Sequence, residues 1–257
     1  MTGSGLVQAT EIAREANVRT SANGLRYAGF GEIGLDEPEL SRMVQAVPAS
    51  IATALAAKTY FFVPLAMAEG RNLDGAGHRS AETIMISPVY TTDLADQAIC
   101  HRNLELGAGE GVFISSRLLN DRFSLAFEFF INVGHGFVNQ AGIAEPFAEL
   151  AWNQAVADVR GETSQDAWES RTTALGRSEG AVRVDERAKT DFLEAAFSDA
   201  IAIYLLSLSL DFDYSELRER VYPLLAPQAL ADRLRIIAKL FPPNQDYEFA
   251  IRYRRRM

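Results

Sequence analysis

The stretch Asp121–Asn139, DRFSLAFEFFINVGHGFVN, constrains this chain more than any other. Phe123, Leu125, Phe127, Phe129, Phe130, Ile131, Val133, Phe137 and Val138 make it apolar on most sides. A helix of that kind is buried almost all round. Asn120 or Asp121 can cap its start. Yet Ser124, Glu128, Asn132, His135 and Asn139 recur at spacings of 4, 4, 3 and 4 and so share one face. A buried polar stripe needs partners, because an unsatisfied polar group costs about 1–3 kcal/mol. The stripe is either a satisfied structural network, an exposed helix edge, or a site.

A second helix repeats the pattern. In Lys189–Leu206 the polar residues Asp191, Glu194 and Ser198 are spaced 3 and 4, with Asp199 beside them. Ala195, Ala196, Ala200 and Ala202 allow another helix to approach closely. If the two polar faces meet, His135 stands near Asp191 and Glu194. A histidine facing carboxylates suits a metal site or a charged pair. Glu128 and His135 lie about 10.5 Å apart along their helix axis and do not readily share one ion.

The rest of the chain reads as strands first and helices later. Glu37–Lys58 is a helix with acidic residues at its start, kinked or restarted at Pro48. Thr59–Leu65 is a short buried strand. Glu82–Tyr90 is a second strand, with Pro88 marking an edge or a bulge. Gly107–Gly111 is a turn, and Val112–Ser115 is a third strand. Helices follow over Glu145–Arg160, Arg187–Leu210, Asp213–Leu225 and Gln228–Phe241, and Gly161–Glu186 reads as a polar, mobile segment. This order predicts an α+β fold, with a small N-terminal sheet and a mostly helical C-terminal half. Residues 1–35 are expected to be an N-terminal extension. Residues 36–257 are expected to form one domain, its sheet part over 36–120 and its helical part over 121–257.

Composition narrows the function classes. The chain of 257 residues has one cysteine, so no internal disulfide framework and no Cys-rich zinc module is available to it. A formal net charge of -9 argues against sequence-independent nucleic-acid binding. The longest apolar stretches, such as Ile201–Leu210, fall short of the ~20 residues that span a bilayer, so no membrane partner is expected. The N-terminus lacks the apolar core of a secretory signal. A cytoplasmic location is the default, with leaderless export left open. The basic run at Arg252–Arg256 is a solvated terminus or a contact for an acidic partner.

Around the two polar stripes the chain resembles the zincin metallopeptidases, especially the type of the anthrax lethal factor catalytic domain. Val47, Pro48, Ile51 and Leu55 match a helix pattern that precedes the small sheet in that family. Ile131–Phe137 falls where the family shows His-Glu-x-x-His, and Asp191–Phe197 falls where a later helix supplies a third metal ligand. The resemblance covers roughly residues 44–210. It implies a zincin-like fold, and it also implies where the chemistry is altered. Two imidazoles one turn apart hold zinc there, and the glutamate between them takes a proton from metal-bound water. Here Ile131 replaces the first histidine and Asn132 the glutamate. His135 matches the second histidine. Asp191 is in register with the third ligand, and Ala195 takes the second acidic position. The ordinary proteolytic mechanism is expected to fail.

Three functions follow as expectations. The first is a catalytically degenerate zincin-like domain that binds a peptide or protein, with Asn132 at the lost general-base position and Glu128 as a further candidate. The second is a metal-dependent hydrolase with a reworked site of His135, Asp191 and Glu194, a ligand set that suits a non-zinc metal or a loose zinc site; the cofactor expectation is zinc or none. The third is a helical small-molecule-binding module lined by Phe127, Phe130 and Phe137. The other histidines, in His78-x-x-x-Glu82 and His101-x-x-x-Glu105, read as loop residues, and Cys100 beside His101 is not by adjacency a reactive pair. Gly107–Gly111 lacks the Gly-Lys-Ser/Thr ending of a phosphate loop.

Overall fold

The computed structural model describes residues 5–69, 83–107, 109–117, 121–178, 181–182, 184–217 and 222–252. The first elements are β1 (Val7–Gln8), α1 (Ala9–Glu15), β2 (Arg19–Thr20), β3 (Arg26–Gly29), α2 (Glu37–Gln45) and α3 (Ala49–Ala54). Then come β4 (Lys58–Val63), β5 (Leu65–Glu69), β6 (Thr83–Ser87), α4 (Thr92–Ala95), β7 (His101–Leu106) and β8 (Gly109–Ser115). The later part holds α5 (Arg122–Ala141), α6 (Glu145–Val156), α7 (Gln165–Ala174), β9 (Arg177–Ser178), β10 (Ala181–Val182), α8 (Glu186–Ser209) and α9 (Pro227–Leu240). The fold class is α+β, with small mixed sheets in the N-terminal half and a helical C-terminal half. The chain divides into two compact units, Met1–Gln45 with Leu55–Phe129, and Ala46–Ala54 with Phe130–Met257. The division falls inside α5, near the expected change from sheet to helix at residue 120, where the sequence suggested one continuous domain.

The first unit is built on a five-stranded sheet of order β2-β3-β4-β8-β7. β3, β4 and β8 run parallel, and β7 is antiparallel to β8 at the edge. Every residue of β4 is buried, as expected of a strand covered on both faces. Side chains alternate between those faces. Phe61 stacks on Phe113 at 4.7 Å and joins a core of Ala9, Ile12, Ala28, Ile84 and Ile86. Tyr60 and Phe62 point the other way, onto Phe129 of α5 at 5.1 and 5.3 Å. A second sheet, β1-β6-β5, supplies part of the Phe61 core.

Several local expectations change here. The expected extension over residues 1–35 contributes three strands and α1, and Leu25, Tyr27, Ala9 and Ile12 are core residues. The strand expected to end at Leu65 is two strands, because Pro64 separates β4 from β5 and each joins a different sheet. Pro88 marks neither an edge nor a bulge: β6 is the central strand of its sheet and stops at Ser87. Pro88 lies just beyond, where its carbonyl accepts the Glu32 N–H at 2.8 Å. Pro48 restarts the first helix rather than kinking it, so α2 and α3 are separate. Asp121 caps α5, its carboxylate accepting the Ser124 N–H at 3.1 Å.

In the second unit, Asn244 holds α3 by accepting the Ala49 N–H and donating to the Val47 carbonyl. α6 ends at Val156, short of the expected Arg160, as Asp158 turns to a φ of 54°. The segment expected to be mobile contains α7, capped by Ser164, whose hydroxyl accepts the Ala167 N–H. The helix expected over Asp213–Leu225 is a single 3-10 turn at Tyr214–Leu217 among the described residues, and Leu224 bridges Glu162 in extended form instead. α8 is long and apolar enough to cross a membrane by length and composition, and 67% of its most apolar window is buried within the protein.

A buried ion cluster ties these helices together. Glu162 and Arg233 are wholly buried, and Arg171 nearly so. Arg233 grips both oxygens of Glu162 at 2.8 and 3.2 Å, and its Nε donates to Gln154 of α6 at 2.8 Å. Arg171 of α7 reaches Glu162 at 3.2 Å and the carbonyls of Val159 and Gly161. Asp199 of α8 accepts the Thr163 hydroxyl at 2.8 Å. Burial drives the Asp199 carboxyl up to about 6, against the pull of the Ser164 and Thr163 hydroxyls and of Arg233. The folded chain therefore holds this proton over a range, from about 4 to about 6, where the unfolded chain has lost it. Stability from this group is full below that range and is lost as pH rises through it.

Two outcomes are expected. Asp199→Asn removes this pH dependence and stabilises the chain at pH 7 by up to about 3 kcal/mol, measured by urea unfolding from acid to neutral pH. At Gly134 of α5 an added Cβ would lie 2.5 Å from the backbone oxygen of Ser198 in α8. Gly134→Ala is expected to cost about 1–3 kcal/mol in the same measurement.

Candidate functional site

Among the described residues, an exposed edge of the first unit's five-stranded sheet is β7, HRNLEL. The Ser115 N–H donates to the Cys100 carbonyl at 2.8 Å, which sets the phase of the β7–β8 ladder. In an antiparallel ladder each residue turns both its backbone groups to the same side, and successive residues alternate. Arg102 and Leu104 thus bond toward β8, and His101, Asn103 and Glu105 turn their N–H and C=O groups outward. Ile99 fits the same phase, since its N–H turns away from β8 and reaches the Ala66 carbonyl at 2.8 Å. Among the described residues no strand pairs with the outer side of His101–Leu106.

The side chains of β7 divide between the two sheet faces. Arg102 pairs in register with Phe113, and Leu104 and Leu106 pack on the Phe61 core. His101, Asn103 and Glu105 share the opposite face, with Val112 and Ile114. A cleft of about 400 Å³ runs beside the strand, lined by Ile84, His101, Arg102, Asn103 and Leu104. It combines an apolar floor with outward backbone groups and a cation, a mixture suited to an extended chain.

Charges are placed at both ends of this edge. His101 Nδ1 meets Glu128 Oε1 of α5 at 2.5 Å. Half-buried Cys100 lies next to this pair. Burial first, and the Glu128 charge second, push its thiol up, while Arg117 pulls it down. The cysteine is therefore held as a thiol, the less nucleophilic form. At the other end Glu105 stands directly opposite Glu110, whose carboxylate pairs with Lys58 of β4. Like charges facing each other across a ladder are unfavourable. Among the described residues Glu105 has no ion-pair partner of its own.

The residues singled out in the sequence stand in different settings on α5 and α8. Asn132 is buried in α5, and His135 is exposed on the same helix. Asp191 and Glu194 are exposed on α8. Among the described residues no group of three or more His, Cys, Asp or Glu side chains is placed to hold a metal ion, so His135, Asp191 and Glu194 do not form a ready-made cradle. The stripe on α5 is a buried position at Asn132 flanked by an exposed edge at His135 and Asn139. Glu128, kept as a candidate, turns to His101, which is a strand residue and not a loop one. Phe137 is packed against Phe197 and Phe241, and Phe127 stacks on Phe123. His78 and Glu82 lie outside the described residues. The alternation in His-Arg-Asn-Leu-Glu-Leu was the available signal for β7, masked by its high polarity.

Comparison with protein-family models, curated proteins and solved structures gave no match. The chemistry at Cys100 is open to direct measurement. Glu128→Gln removes one of the two influences raising the thiol, so disulfide-exchange reagents are expected to label Cys100 a few-fold faster at neutral pH.

Proposed function

We propose that this chain is a catalytically silent, zincin-like binding domain whose first unit receives an extended polypeptide strand at the β7 edge. The observation that carries the reading is the edge itself. His101, Asn103 and Glu105 present outward backbone groups beside a cleft that can take alternate side chains. Main-chain bonds to such an edge supply affinity, and the cleft supplies selection.

The zincin part of the reading rests on the order of parts and on the altered motif. A helix and a small sheet precede a strand that leads into α5, and α8 follows later. On α5, Ile131 offers no ligand atom and Asn132 no base at neutral pH. A polypeptide partner fits a fold of that ancestry from which the chemistry has been removed.

A library of displayed random peptides, selected on the purified chain, tests this. Selected peptides are expected to bind with micromolar affinity as extended segments. Asn103→Pro removes the central outward N–H without touching the bonds to β8, and is expected to weaken that binding at least about tenfold. Binding indifferent to Asn103→Pro contradicts the reading, as does peptide hydrolysis that stops when a chelator is added.

A further inference from the structure

The strand best matched to β7 is β7 itself. We propose that the polypeptide received at this edge is the β7 strand of a second copy, so that two chains join their five-stranded sheets antiparallel across a two-fold axis. This inference rests on the edge reading above and names its partner.

The register follows from the backbone. A two-fold axis perpendicular to the sheet keeps each face on its own side, so residues facing each other must come from the same pleat set. Only residues with outward backbone groups can bond across the axis, which restricts the pairing to His101, Asn103 and Glu105. One register uses all three. Asn103 faces Asn103, and His101 faces Glu105 in both directions. Each facing pair then exchanges both of its backbone hydrogen bonds. Shifting by a whole pleat leaves an outward residue of each copy without a partner in the strand.

That same register is also the one that gives Glu105 a hydrogen-bonding partner. Glu105 has no ion-pair partner of its own among the described residues and faces the like charge of Glu110 in β8. His101 of the second copy would stand on its other side. His101 engages Glu128 through Nδ1, which leaves Nε2 as the ring nitrogen able to meet a carboxylate across the axis. The two Asn103 amides meet at the centre, where side-chain amides can bond each other. On the cleft face Leu104 of each copy lies opposite Arg102 of the other, so an apolar side chain meets the aliphatic stem of the arginine beside Ile84. Backbone count and side-chain pairing are separate facts, and they converge on one alignment. Joining two edges in this way also removes an exposed strand that is otherwise open to uncontrolled pairing.

Sedimentation equilibrium of the full chain, with a charge-reversal pair, tests the proposal. The wild-type chain is expected to be in monomer–dimer exchange in the micromolar range. His101→Glu alone sets like charges against each other at both symmetric positions, and Glu105→Lys alone removes the carboxylate that faces His101 at both. Each is expected to raise the dimer dissociation constant roughly ten- to thirtyfold. Mixing the two variants sets the introduced lysine opposite the introduced glutamate at one position and His101 opposite Glu105 at the other, and is expected to restore dimers close to wild-type strength. Circular dichroism of each variant reports the fold, and the recovery on mixing excludes a loss that is merely structural. If the wild-type chain stays monomeric at all concentrations, or if mixing restores nothing, the inference is overturned. Selected peptides that still bind in an Asn103-dependent manner would then leave the edge-binding function standing, so the two failures are distinct.

Discussion

The two-residue period of β4 and β8 is the constraint from which the first unit follows. Tyr60 and Phe62 must go to one side and Phe61 to the other, and both sides are large and aromatic. Burying both needs a cover on each face. α5 supplies one through Phe129, and α1 and β6 supply the other through Ala9, Ile12, Ile84 and Ile86. A sheet covered in this way meets solvent only at its edges. Of those edges, β7 is six residues long and mostly exposed, while β2 has two residues. Among the described residues, β7 is therefore the longer open edge of this five-stranded sheet.

The second unit solves a different problem. Its helices bury Glu162 with two arginines, and breaking such a set is costly because an uncompensated charge remains inside. Arg233 comes from α9 and Arg171 from α7, so one carboxylate holds two helices, and Arg233 adds α6 through Gln154. Asp199 adds α8 through Thr163. This cluster is enclosed within the second unit. The exposed carboxylates Asp191 and Glu194, one or two turns earlier on α8, are left at the surface.

Much of this was legible in the sequence where periodicity was strong. α5, α8 and α9 fall within one or two residues of their expected bounds, since long apolar repeats override local detail. The α+β class followed from the order of elements. Weak or polar elements were not legible. α7 has little apolar face, and its one strong signal, the Ser164 cap, sits in a polar run. β7 reads as a loop because its outward residues are His101, Asn103 and Glu105, which is the composition of a strand that faces solvent. The stripe on α5 was real as a pattern, but its residues serve different neighbourhoods. Glu128 belongs with His101 in the first unit, and His135 lies at the surface of the second. Spacing along one helix places side chains on a face. It does not say which element that face meets.

The central claim is that β7 keeps an open, outward-bonding edge. Amide hydrogen exchange of the dilute chain, read residue by residue by NMR, measures it directly. Arg102 and Leu104, bonded to β8, are expected to exchange slowly, and His101, Asn103 and Glu105 between them are expected to exchange fast. Uniform protection along His101–Leu106 would mean that the edge is already covered, and would contradict the account.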